Sequence, residues 1–152
     1  MPTDKNELAR AASIIAKLKG IADSRSMGDA ERKALEKPSF WVSDVKVSRK
    51  KDRRGNRVTV YEVPRLVLSL GSIVKVRGFY LALSDIDEDG YAVEVYDSNA
   101  KKIGSFRARK DIKECKLSDN LDICIEITKE FDLGFEGKLE IIMGYVGSGP
   151  GQ

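Results

Sequence analysis

The chain has 152 residues, 41% hydrophobic and 34% charged, with a net charge of +3 and no histidine. That length suits one domain able to bury about two-thirds of its unfolded surface, and no apolar run approaches the roughly 18 residues of a transmembrane helix. Without histidine the commonest general base, the Ser-His-Asp and Cys-His arrangements and the usual zinc and iron sites are gone, so the expectation is a protein that is not an enzyme and needs no cofactor.

The N-terminus, "MPTDKNELAR", has Asp4 and Glu7 where a signal peptide carries positive charge. The reading is a protein that is not exported, cytoplasmic or within a virion assembled there. Leu8, Ala11, Ile14, Ile15 and Leu18 recur at three- and four-residue spacing, which predicts an amphipathic helix over 4–19. Asp4 and Glu7 would cap its start, Lys17 and Lys19 would favour its C-terminal dipole, and Gly20 would end it. A shorter helix, "DAERKALEK", stops before Pro38. Residues 1–37 thus form a helical arm, or a cover for the remainder of the chain.

From Phe40 the apolar period changes from 3.6 to 2. Trp41, Val45 and Val47, then Val58 and Val60, then Leu66, Leu68 and Leu70 alternate with other residues. Phe79, Leu81 and Leu83, then Tyr91, Val93 and Val95, continue the pattern, as do Leu121, Ile123, Ile125 and Ile127 and a last run, "KLEIIMGYV". About eight strands over 38–146 predict a mainly β fold: an antiparallel β-sandwich, jelly-roll-like or immunoglobulin-like, with one wet face per sheet. Residues 147–152, glycine-rich, read as a flexible tail. Cys115 and Cys124, nine apart, match no metal knuckle and read as two buried thiols, with a single disulfide the other possibility.

Two charged stretches hold what chemistry the chain displays. "DIDEDG" has the opening of a calcium loop, with Asp85, Asp87 and Asp89 as ligands, but position twelve is Tyr96 and the flanks alternate as strands. An Asp-Gly pair between alternating runs is instead a two-residue hairpin signal, so no metal is expected and these three carboxylates form only a weak calcium candidate. The other stretch, "KVSRKKDRRGNR", collects Lys46, Arg49, Lys50, Lys51, Arg53, Arg54 and Arg57 on a predicted hairpin bending near Arg54-Gly55-Asn56.

Charge is unevenly spread: residues 1–37 carry +2, 38–57 carry +5 and 58–152 carry −4. The hairpin is therefore a concentrated cationic projection on an acidic domain, suited to phosphates or to an acidic protein surface. Nothing interleaves aromatic rings with these cations to stack on bases. The functional expectation is a non-catalytic structural or assembly subunit, of virion coat or accessory type by analogy of fold, that forms homo-oligomers or joins other subunits. The alternative is a non-specific nucleic-acid-binding accessory protein using 46–57. No membrane or small-molecule substrate is implied. A glycan-binding role for Trp41, Tyr61, Tyr80, Tyr91, Tyr96 and Tyr145 gives way to ordinary packing by these rings.

Overall fold

The computed structural model describes residues 5–24, 28–51, 55–117 and 121–144. Two helices, α1 (Lys5–Ser24) and α2 (Asp29–Glu36), precede ten strands: β1 (Ser39–Val42), β2 (Lys46–Lys51), β3 (Arg57–Ser69), β4 (Ser72–Val76), β5 (Phe79–Asp87), β6 (Gly90–Tyr96), β7 (Lys102–Ala108), β8 (Lys113–Leu117), β9 (Leu121–Phe131) and β10 (Gly134–Gly144). They form two five-stranded sheets, ordered β1-β4-β5-β6-β7 and β2-β3-β10-β9-β8. Every pairing is antiparallel except that of β1 with β4.

The sheets share one apolar core. Val74, Val76, Leu81, Leu83, Val93 and Val95 from the first meet Val63, Leu66, Leu68, Ile123, Ile125, Ile127 and Ile141 from the second. Alternation is clean in β9, where Ile123, Ile125 and Ile127 point inward and Glu126 lies between two of them on the other face. Tyr91 adds a polar tie between the sheets: its hydroxyl donates to Glu130 Oε2 at 2.7 Å while its ring packs edge-on against Phe135.

A second apolar layer lies on the opposite face of the first sheet. Ala11, Ile14 and Leu18 of α1 and Leu35 of α2 pack with Ile73, Tyr80, Ala82 and Tyr96. Each fully buried aliphatic side chain of this size contributes about 1.5–3 kcal/mol. Ile14, Leu18 and Leu35 together thus reach the order of a whole domain's net stability, about 5–15 kcal/mol. Ala11, Ile14 and Leu18 of the α1 stripe are therefore spent within their own chain, while Leu8 stays exposed.

This double burial changes several sequence expectations. The first sheet has no wet face over β4–β6: Leu81 and Leu83 enter one core while Tyr80 and Ala82 enter the other. Gly20 does not end α1, which continues to Ser24 with Ile21 packed against the second core. Lys17 consequently sits within the helix, donating to the Ala100 carbonyl at 2.6 Å with its ammonium 5.3 Å from the centre of the Tyr96 ring. Glu7 ion-pairs with Lys75 on β4, while Asp4, the other half of the expected cap, lies outside the described residues, as do Tyr145 and the tail.

Ten strands replace the expected eight or so because β4, β7 and β8 lack a clear two-residue period, while the runs on either side of Pro64 fuse into one strand. Pro64 is accommodated where the β3–β10 register shifts between Gly137 and Leu139, a bulge that needs no donor from it. Cys115 and Cys124 are not two free thiols: they face each other across β8 and β9 and form a disulfide. No helix among the described residues is long and apolar enough to cross a membrane.

This packing has three testable consequences. Gly71, at φ +83° between β3 and β4, lies so close beneath α2 that a Cβ would stand 2.0 Å from the Ala34 carbonyl oxygen. Gly71→Ala should cost about 2–4 kcal/mol, and at about 2–4 °C per kcal/mol it should lower Tm accordingly in a thermal melt. Replacing both cysteines by serine should remove at most about 3 kcal/mol, the loop-closure value for so short a loop, read by urea unfolding with and without reductant.

Burial, then the hydrogen bond and charge of Glu130, push the Tyr91 hydroxyl up to about 12. Burial and the charge of Glu94 do the same for Tyr96. A raised pKa means the fold favours the neutral phenol, so this stabilisation is complete below pH about 10 and is lost as pH rises through about 12. Phenolate absorbance should show these two rings ionising near pH 12 in the folded protein and near pH 10 after unfolding. Glu130→Gln should lower the Tyr91 value only partway, since burial is its main cause.

Candidate cationic interface

Strands β2 and β3 pair antiparallel from Lys46↔Glu62 to Lys51↔Arg57, so the predicted hairpin forms at the edge of the second sheet. Gly55 takes φ +82° in its bend, as a turn glycine should. Lys46, Arg49, Lys50 and Lys51 lie on β2, Arg57 opens β3, and all five are exposed. Arg53 and Arg54 lie outside the described residues.

Arg49, Lys50, Lys51 and Arg57 line a depression of about 260 Å³ at the far end of the hairpin. Strand alternation sends Arg49 and Lys51, with Arg57 opposite Lys51, to one face and Lys50 to the other, yet all four line this one hollow. Among the described residues only Lys50 of the four has an acidic partner, Glu62 Oε1 at 3.3 Å. An exposed pair of this kind contributes under about 1 kcal/mol, so it leaves Lys50 available to a competing anion. Among the described residues the hollow is lined by cations alone, a composition that favours an anionic oxygen ligand.

A second depression, about 270 Å³, lies on the outer face of the second sheet and includes Glu62, Lys113, Cys124, Glu126, Lys138 and Glu140. One row of cross-strand neighbours runs through it over all five strands: Lys46, Glu62, Glu140, Cys124, Cys115. Glu62 is held by Lys50, and Glu140 by Lys113 at 3.4 Å. Its carboxylates and lysines neutralise one another, which is the chemistry of a solvated sheet face. The row was not legible in the sequence because it needs the strand order, and β8 carries no clear alternation to place Cys115 on it.

In the acidic turn two of the three carboxylates are engaged within the chain. Asp87↔Gly90 closes a two-residue hairpin whose loop is Glu88-Asp89, one position earlier than the expected Asp-Gly loop. Asp87 is committed twice, to Arg107 at 2.6 Å and to the Asp89 amide at 2.8 Å, while Asp85 accepts from the Ile86 amide. No group of three or more potential metal ligands converges among the described residues. Gly90 is required for a different reason: at φ +122° a Cβ there would stand 2.4 Å from the Ala108 carbonyl oxygen on β7. Tyr96, the twelfth position of the notional loop, is buried beneath α1.

Comparison with protein-family models, with curated proteins and with solved structures gives no match for this chain.

Proposed function

We propose that the protein is a non-catalytic binding and assembly module in which the β2–β3 hairpin docks on an anionic macromolecular surface. The observation that carries this reading is the hollow lined by Arg49, Lys50, Lys51 and Arg57, three of which have no acidic partner among the described residues. Four cations held together by strand pairing repel one another, and an anionic surface relieves that cost. The two sheets serve as layers of a sandwich, a view supported by their common core. Their connections are those of meanders, β4 to β7 in one layer and β8 to β10 in the other, a consecutive order that favours neither a jelly roll nor an immunoglobulin-like arrangement.

An acidic protein surface fits better than nucleic acid. Among the described residues no aromatic ring lines the hollow to stack on a base, and the −4 carried by residues 58–152 disfavours a long polyanion lying across the body. Nucleic acid is the second reading, favoured by two arginines, Arg49 and Arg57, whose guanidinium groups suit phosphate.

A glutamate-rich peptide and a 20-base-pair DNA duplex, each fluorescently labelled, separate the two by anisotropy at low salt. The peptide should bind, and the triple variant Arg49→Ala/Lys51→Ala/Arg57→Ala should weaken it at least about tenfold, since lost charge-assisted contacts cost about 1.5–3 kcal/mol each. Preferential DNA binding with a log–log salt slope near about −4 would select the second reading. Failure of both probes to bind would remove the hairpin's assigned role.

A further inference from the structure

Each sheet has two edges, and natural sheets protect such edges from pairing with other chains. Three of the four are protected here. β7 packs against β8, where a Cβ on Gly104 would lie 3.6 Å from the Lys116 side chain. The β2 edge carries Lys46, Arg49, Lys50 and Lys51. β1, "SFWV", has no such protection among the described residues: it holds no charge, no proline and no bulge, and it leaves Trp41 42% and Val42 63% exposed.

Its backbone is equally available. The amides of Ser39 and Ser43 bond the Gly71 and Lys75 carbonyls at either end of the β1–β4 ladder. Alternation then directs Ser39, Trp41 and Ser43 toward β4 and turns the N–H and C=O groups of Phe40 and Val42 outward. An incoming antiparallel strand must offer matching groups two residues apart. A second β1 does so when Phe40 of each copy faces Val42 of the other, which places the two Trp41 residues directly opposite as a close, non-hydrogen-bonded pair.

The flanking charges select the same orientation. Lys37 lies on the N-terminal side of β1 and Asp44 on its C-terminal side; both are exposed, and neither has an ion-pair partner among the described residues. Antiparallel self-pairing brings Lys37 of one copy to the Asp44 end of the other, twice over, whereas parallel pairing would align like with like.

We infer that β1 is a self-association edge, joining two copies about a twofold axis at Trp41 into one continuous ten-stranded sheet. The occupant is a second copy of this chain. The inference rests on the edge and not on what the hairpin binds. It does bring the two β2 edges to the same side of the dimer, so their cations oppose across the axis and dimerisation tolerates salt, while anion binding at the hairpin is weakened by it.

Analytical ultracentrifugation of the full chain, up to about 0.5 mM because the pairing edge is short, reads the result directly. A monomer–dimer equilibrium is expected that persists in 0.5 M salt, on the order of the concentration that screens beyond about 4 Å and abolishes hairpin binding. Val42→Pro removes an outward donor while sparing the β1–β4 ladder, and should leave a folded monomer by circular dichroism. Lys37→Asp and Asp44→Lys should each raise the dimer Kd about fivefold or more, and the double swap Lys37→Asp/Asp44→Lys should restore it. A wild-type monomer throughout that range overturns the inference, as does a dimer indifferent to the charge swaps; neither result touches the anisotropy measurements on the hairpin.

Discussion

The first sheet is buried on both faces over β4–β6, and most of the architecture answers to that constraint. A strand exposed to apolar neighbours above and below cannot alternate polar with apolar residues, so β4, β5 and β6 become nearly continuous apolar runs. Two of their charged residues are compensated by partners from neighbouring elements. Glu94, 5% exposed, is held by Lys102 at 2.6 Å, and Lys75 is met by Glu7 of α1. Burying a carboxylate without a partner costs several kcal/mol, so these lysine and glutamate positions belong to the packing of the helical layer as much as its aliphatic residues do. The helices in turn need a close seat, which Gly71 supplies by bringing the β3–β4 turn against the Ala34 carbonyl.

Against that neutral, doubly covered sheet, the second sheet presents one apolar face and one polar face, and the charge asymmetry of the chain settles there. Lysines and glutamates on its outer face pair across strands: Lys50 with Glu62, Lys113 with Glu140. Toward the end of β2 the cations continue past these paired residues. The hollow at Arg49, Lys51 and Arg57 is thus the end of a neutralised surface, and positive potential concentrates there because none of these three has an acidic partner among the described residues. Placing it on paired strands holds the cations at fixed spacing, which a disordered basic tail of equal charge would not do.

How much of this was legible in sequence depended on whether one face or two were buried. β9 was readable because Ile123, Ile125 and Ile127 stood against Asp122 and Glu126, and the basic hairpin because two alternating runs flanked a glycine. In β5 the same rule found Leu81 and Leu83 but not the second core at Tyr80 and Ala82, since nothing local announced that α1 would cover them. Gly20 read as a stop because its conformation is decided by Ile21, whose burial against a distant sheet carries the helix onward. The cysteine pair had a usable signal: Leu117↔Asp122 and Cys115↔Cys124 are symmetric about one turn, so reading "KECKL" as a strand would have placed the sulfurs opposite each other. Its lysine-rich, half-wet edge concealed the period.

The disulfide and the bare edge of β1 bear on the same question, how the ends of these sheets are finished. Short strands at sheet margins have few apolar contacts and fray first. β8, mostly exposed along its length, is fixed to β9 by a covalent bond. β2 is fixed by pairing with long β3 and warded from strangers by its charge. β1 has neither device; it is four residues long, parallel to its one neighbour and anchored chiefly by Phe40, whose ring lies 6.0 Å from that of Tyr80. Disulfides persist in oxidising surroundings and are rare in reducing ones, so the finish of β8 varies with compartment while that of β1 does not. Among the described residues, β1 is the sheet edge finished by neither charge nor covalent bond, and adding a strand from outside is what such an apolar edge favours.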